Sequence, residues 1–170
     1  MESMRTKHVL AFVLLAGALG FAQAQKTPLR PPALPNPQLY PTNANAADEI
    51  REATADAGKG HKRILLVFGG NWFMDCHVLD NAFHLPNIAP LLNSNFVVVH
   101  VDIGKYDKNL DVAKQYHVDL EKGVPSIAVL NSDGSFVYST AEFERARVLS
   151  EEDVLQFLNK WKPQPATAKK

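Results

Sequence analysis

Apolar residues along the chain change spacing in a regular order. Between Ala46 and Ala57, Ile50, Ala53, Thr54 and Ala57 recur at three and four positions. That period predicts an amphipathic helix, stopped by Gly58 and Gly60. Ile64 to Phe68 is an unbroken apolar run that predicts a buried strand, and Gly69-Gly70 after it allows a sharp turn. Cys76 to about Asn93 reads as a helix with Val78, Leu79, Phe83 and Ile88 on one face, bent or divided by Pro86 and Pro90. Phe96 to Val101 is the next buried strand, and strand–helix–strand of this length implies a right-handed crossover with parallel pairing. A short helix over Asn109–His117 follows, with Leu110, Ala113 and Tyr116 at helical spacing. Then come a strand over Ser126–Leu130, the turn Asn131-Ser132-Asp133-Gly134 and an antiparallel return over Ser135–Thr140. Ser150 caps a last helix whose first turn, Glu151-Glu152-Asp153, suits the helix dipole. Its apolar face is Val154, Leu155, Leu158 and Trp161, and Pro163 stops it. The order is one helix, then β-α-β-α-β-β-α, with no internal repeat.

The N-terminal pattern is of another kind. Arg5, Lys7 and His8 precede an apolar stretch from Val9 to Phe21, and Ala22-Gln23-Ala24 supplies a small-x-small cleavage pattern. Residues 1–24 are therefore expected to be a signal peptide, too short to span a bilayer comfortably. No cysteine follows the run, so a lipoprotein anchor is not expected. Residues 25–43 carry Pro28, Pro31, Pro32, Pro35, Pro37 and Pro41 and read as a semi-rigid linker. The domain proper is expected over 44–162, with a frayed tail at 163–170.

Composition and charge change this picture little. The chain is long enough for a core without staples. Its 18 basic and 18 acidic residues balance, and cleavage would remove Arg5, Lys7 and Glu2, leaving a near-neutral protein. A neutral chain argues against nucleic-acid binding through a basic face. Cysteine usage says more. In an exported protein the single Cys76 has no partner in its own chain. It is a buried inert thiol, a reactive monothiol or half of an intermolecular bridge. A strand, a tight turn and a cysteine opening a helix form the layout that brings a thiol to a helix N-terminus. His77, Asp80 and His84 lie at i, i+3 and i+7, a loose spacing better read as a solvated face than as a metal site, and no metal is expected. Haem attachment needs C-x-x-C-H, of which only Cys76-His77 is present. His100, inside an apolar strand, reads as a core histidine, and Asp102 after it has no role that spacing assigns.

The stretch Trp72-Phe73-Met74-Asp75-Cys76 resembles the Trp-Cys-x-x-Cys active site of the thioredoxin superfamily, in particular its exported bacterial members, with Phe73 at the first cysteine's position. Gly123-Val124-Pro125-Ser126 resembles the same family's cis-proline loop. The resemblance covers roughly 46–161 and implies an α/β, thioredoxin-like three-layer sandwich with a mixed central sheet and an extra N-terminal helix. It implies a cis bond before Pro125, a shielded resolving role for Cys76, and a periplasmic or secreted location. Two departures bear on activity. Phe73 removes the attacking thiol, and Val67 stands where many thioredoxins carry a buried acid. The expected function is thus a thiol–disulfide exchange protein of the redox class with a degenerate single-cysteine site and weak or absent dithiol activity. The alternative is a non-catalytic module binding a peptide or partner. The site residues are Cys76 for chemistry and Trp72, Phe73, Val124 and Pro125 for substrate, the backbone at Val124 pairing with a client like an added strand. Trp72 and Phe73 either hold such a client or pack onto the Pro125 loop and close the site. The expected partner is a protein or peptide client, in mixed disulfide with Cys76 if that thiol reacts, with no cofactor, no nucleic acid and, after cleavage, no membrane.

Overall fold

Side-chain alternation along the central strands divides the core in two. In β1 (Arg63–Gly69), Ile64, Leu66 and Phe68 enter one apolar cluster while Leu65 and Val67 enter the other. In β3 (Ser126–Leu130), Ala128 and Leu130 join the first cluster and Ile127 and Val129 the second. A sheet that is apolar on both faces must be covered on both, and helices do so here. The computed structural model describes residues 26–164. The expected signal segment and the end of the tail lie outside the described residues. Among those described, no helix is long and apolar enough to cross a membrane.

The order is α1 (Ala46–Gly60), β1, α2 (Met74–Phe83), α3 (Ala89–Asn95), β2 (Phe96–Asp102), α4 (Leu110–Gln115), β3, β4 (Phe136–Thr140) and α5 (Glu151–Trp161). The sheet runs β2-β1-β3-β4, with β1 parallel to β2 and the other pairs antiparallel. Helices α1 and α4 cover the face that includes Ile64 and Phe68, while α2, α3 and α5 cover the other. This is the thioredoxin-like sandwich with a mixed sheet.

Two sequence expectations are corrected. Gly58 and Gly60 do not stop α1. The helix runs through them and ends at His61, whose φ of 51° makes the left-handed turn. The division expected of the helix from Cys76 to Asn93 is present: Pro86 falls in the break and Pro90 at the start of α3. The proline-rich segment is not a free tether. Leu29, Leu39 and Tyr40 are buried, Pro28 bridges Ser150, and the Leu29 amide donates to the Leu149 carbonyl at 2.7 Å. Prolines fix its extended path, and apolar side chains between them dock it.

Candidate functional site

The site is built on the turn between β1 and α2. Gly69 and Gly70 are needed there for close approach rather than for a left-handed backbone. A Cβ on Gly69 would stand 2.5 Å from both the Cys76 sulfur and the Tyr40 hydroxyl, and one on Gly70 would stand 2.5 Å from Trp72 Nε1. Phe73 is the N-cap of α2 and offers no side-chain hydrogen bond to the helix. It is half-buried and packs against the α1-side cluster. Cys76 follows one turn into the helix and is 1% exposed.

Tyr40 seals the thiol. It arrives from the proline-rich segment, which Asn71 clamps twice: the Tyr40 amide donates to Asn71 Oδ1 at 2.9 Å, and Asn71 Nδ2 donates to the Tyr40 carbonyl at 2.7 Å. Lys108 Nζ also donates to the Thr42 carbonyl at 3.1 Å. Among the described residues the buried Tyr40 hydroxyl has no partner of ordinary hydrogen-bond geometry, and a polar neighbour is the Cys76 sulfur, a weak acceptor. Burial, with Cys76 alongside, raises the Tyr40 hydroxyl well above the usual tyrosine range. Burial likewise pushes the Cys76 thiol up to about 11, against the lowering pull of the Gly70 main chain. Such a thiol is neutral at physiological pH and a poor nucleophile.

Asp75, between Phe73 and the thiol, is buried and held by Arg147 from the 3-10 turn Ala146–Val148. The Arg147 amide donates to Asp75 Oδ1 at 2.9 Å, and its guanidinium grips both oxygens, with Nε 3.0 Å from Oδ2. Burial alone would raise the Asp75 carboxyl, but these hydrogen bonds and charges hold it below its usual value. His77 is buried and turned away from Asp80 and His84, its Nε2 donating to the Asn71 carbonyl at 2.9 Å. Asp80 instead lies between His84 and His100, 3.8 and 3.6 Å from their ring nitrogens. No grouping of three metal-ligating side chains suited to an ion occurs among the described residues. His100 also meets the edge of the Tyr40 ring at 5.2 Å, and burial lowers its pKa.

Outside the sealed thiol stands an aromatic patch. Trp72, Met74 and Tyr106 are each 43% exposed. The Trp72 ring contacts Phe73 and Tyr106 at 5.5 and 5.9 Å, and Lys105 Nζ lies 5.2 Å above it. Trp72 Nε1 donates to the Gly104 carbonyl at 2.6 Å, which fixes the indole on the loop after β2. Asp102 shapes that loop by accepting from the Gly104 amide at 3.1 Å and, through its carbonyl, from Asn109 Nδ2 at 2.7 Å. Gly104, Tyr106 and Asn109 all take positive φ there.

The Val124–Pro125 bond is cis. Val124 and Pro125 are both buried, Val124 at 1% exposed, so the Val124 main chain does not face solvent. Val67 is buried among apolar side chains. Sequence reasoning missed Tyr40, Asn71, Tyr106 and Arg147. Asn71 directly precedes the recognised motif, whereas the other three act from segments with no local signature.

A family model described as thioredoxin-like matches residues 45–132. Among solved structures, the disulphide isomerase of Xylella fastidiosa is 35% identical, superposes with a TM-score of 0.68, and is matched over 72% of this chain and 95% of that one. The C-terminal domain of Neisseria meningitidis DsbD in its oxidised form is 15% identical with a TM-score of 0.54, covering 70% of this chain and 97% of that domain, a likeness of fold. No curated protein sequence matches the chain.

Proposed function

The chain belongs to the thioredoxin-like family, and from that membership we propose that it is a protein of the thiol–disulfide redox class that lacks dithiol turnover and acts by binding a client. The observation that carries this reading is the state of its only thiol: Cys76 is 1% exposed, and burial pushes it up to about 11. Turnover needs a thiolate to attack a disulfide sulfur and a second thiol to release the mixed disulfide. Phe73 occupies the place of the first, and no second cysteine exists. What faces solvent at the site is Trp72 with Met74, Tyr106 and Lys105. Rigid aromatics beside a cation suit an extended, partly apolar polypeptide with acidic groups. Binding at Val124 by strand addition requires the cover over its main chain to move aside. The disulphide isomerase similarity supports the redox context.

Export belongs to this proposal, supported by the basic and apolar pattern of residues 1–24. The test of client binding uses reduced, carboxymethylated α-lactalbumin, an unfolded protein without thiols, titrated against the protein. Trp72→Ala weakens binding roughly tenfold, the loss typical of a central aromatic anchor. Cys76→Ala leaves it unchanged. Binding that survives Trp72→Ala and fails with Cys76→Ala contradicts the reading.

A second reading, mixed disulfide through Cys76, rests on Tyr40. Tyr40, beside the thiol, sits on a segment outside the sheet that Asn71 holds. Release of that segment uncovers the sulfur.

A further inference from the structure

The order β2-β1-β3-β4 leaves no strand paired with the outer edge of β2 among the described residues, although Leu39 and Pro41 line the hollow beside it. Two hollows run along this edge, one on each face of the sheet, and both include Val98 and His100. On the α1 face, a hollow of about 340 Å³ has Leu39, Ala53, Val97 and Val99 at its base and Glu49 and Glu52 on its wall. On the opposite face, one of about 240 Å³ lies over Phe83, Leu92 and Val98, with Asp80 and His84 at its rim. The first is acidic at its wall and the second apolar at its floor.

The charges on α1 are unevenly neutralised. Asp48 pairs with Arg51 and Asp56 with Lys59. Glu49 and Glu52, one turn apart, have no ion pair among the described residues, and burial together with Glu52 raises the Glu49 carboxyl. Two neighbouring carboxylates without a cation, beside unpaired strand edge, favour a positively charged occupant. Side chains of an added strand alternate between faces, so one set would reach Glu49 and Glu52 and the other would enter the Phe83–Leu92 hollow.

We propose that the β2 edge is a docking site for an extended segment of a partner protein that alternates lysine or arginine with apolar side chains. A second copy of this chain is the poorer occupant. Pairing two β2 edges into one sheet brings Glu49 and Glu52 of each copy to the same junction, where like charges oppose association. The site is distinct from the Trp72 patch and does not depend on how that patch is used.

The test titrates the capped peptide Lys-Leu-Lys-Val-Lys-Leu into the isotope-labelled protein and follows backbone amide shifts. Perturbations are expected at 97–101, with binding that weakens as salt rises. Glu49→Gln with Glu52→Gln lowers affinity roughly five- to tenfold, the worth of two partly exposed ion pairs. A peptide of the same composition without alternation binds more weakly. The proposal is overturned if the alternating and non-alternating peptides bind equally, if the glutamine pair changes nothing, if shifts map to 72–74 instead, or if no binding occurs. Sedimentation showing a dimer through the same residues also overturns it.

Discussion

At Cys76, position and environment act in opposite directions. A helix N-terminus favours a thiolate, yet the sulfur lies one turn inside α2, beneath Tyr40, where loss of water outweighs the dipole and the thiol is pushed up to about 11. With an unfolded cysteine near 8.5, the folded thiol carries roughly 10²-fold less thiolate at pH 8. A small aromatic disulfide reagent should therefore label Cys76 at least about 10²-fold more slowly in the folded protein than in denaturant. Tyr40→Ala should recover much of that rate by admitting reagent and water. The sign with pH follows from the same shift. Above the unfolded pKa the unfolded chain releases a proton that the folded chain keeps, so stability falls from about pH 9 towards 11. Cys76→Ala should flatten that part of the profile, as measured by chemical denaturation at each pH. A slope unchanged by Cys76→Ala would mean that the thiol is not the group responsible.

Among the elements, α2 does most to position the site, and it is anchored at its first turn. Asp75 in its first turn is buried and gripped by Arg147, which anchors a helix start to which Phe73 gives no side-chain cap. The Asp75 carboxyl is held below its usual value, so its stabilisation is present above the unfolded pKa near 3.9 and is lost as pH falls through the lower folded value. Arg147→Gln leaves a buried carboxylate short of partners. It should lower the melting temperature at neutral pH and shift acid unfolding to higher pH, both followed by circular dichroism. If the acid midpoint stays in place, the pair does not govern α2. The elements themselves were legible in the sequence because near-continuous apolar runs marked β1, β2 and β3, and a 3.6-residue period marked α5. The break between α2 and α3 was visible as Pro86 and Pro90, and the capping box of Ser150 with Asp153 as a local motif. The end of α1 was not, because His61 in a left-handed conformation carries no glycine signal. Arg147 could not be found either, since its partner is remote in sequence and the intervening chain is irregular.

Over the whole molecule, the sheet and its two helical layers place the aromatic motif, the cis-proline loop and the proline-rich segment around one thiol. The first two were recognisable from residues 72–76 and 123–126. The third was not: prolines obscure the one tyrosine that matters, and no local pattern reveals that Tyr40 docks beside β1. That docking buries the thiol. On the proposed function, the thioredoxin-like scaffold is kept and dithiol turnover is lost, because Phe73 stands where the attacking thiolate is needed. The most direct measurement is insulin reduction with excess dithiothreitol, comparing the wild-type protein, Cys76→Ala and Phe73→Cys. Wild type and Cys76→Ala are predicted to match the uncatalysed rate, while Phe73→Cys gains turnover through a 73–76 disulfide, slowed where Val67 supplies no proton acceptor. Wild-type turnover that persists in Cys76→Ala, or a Phe73→Cys protein that forms the bridge and gains nothing, would contradict the account.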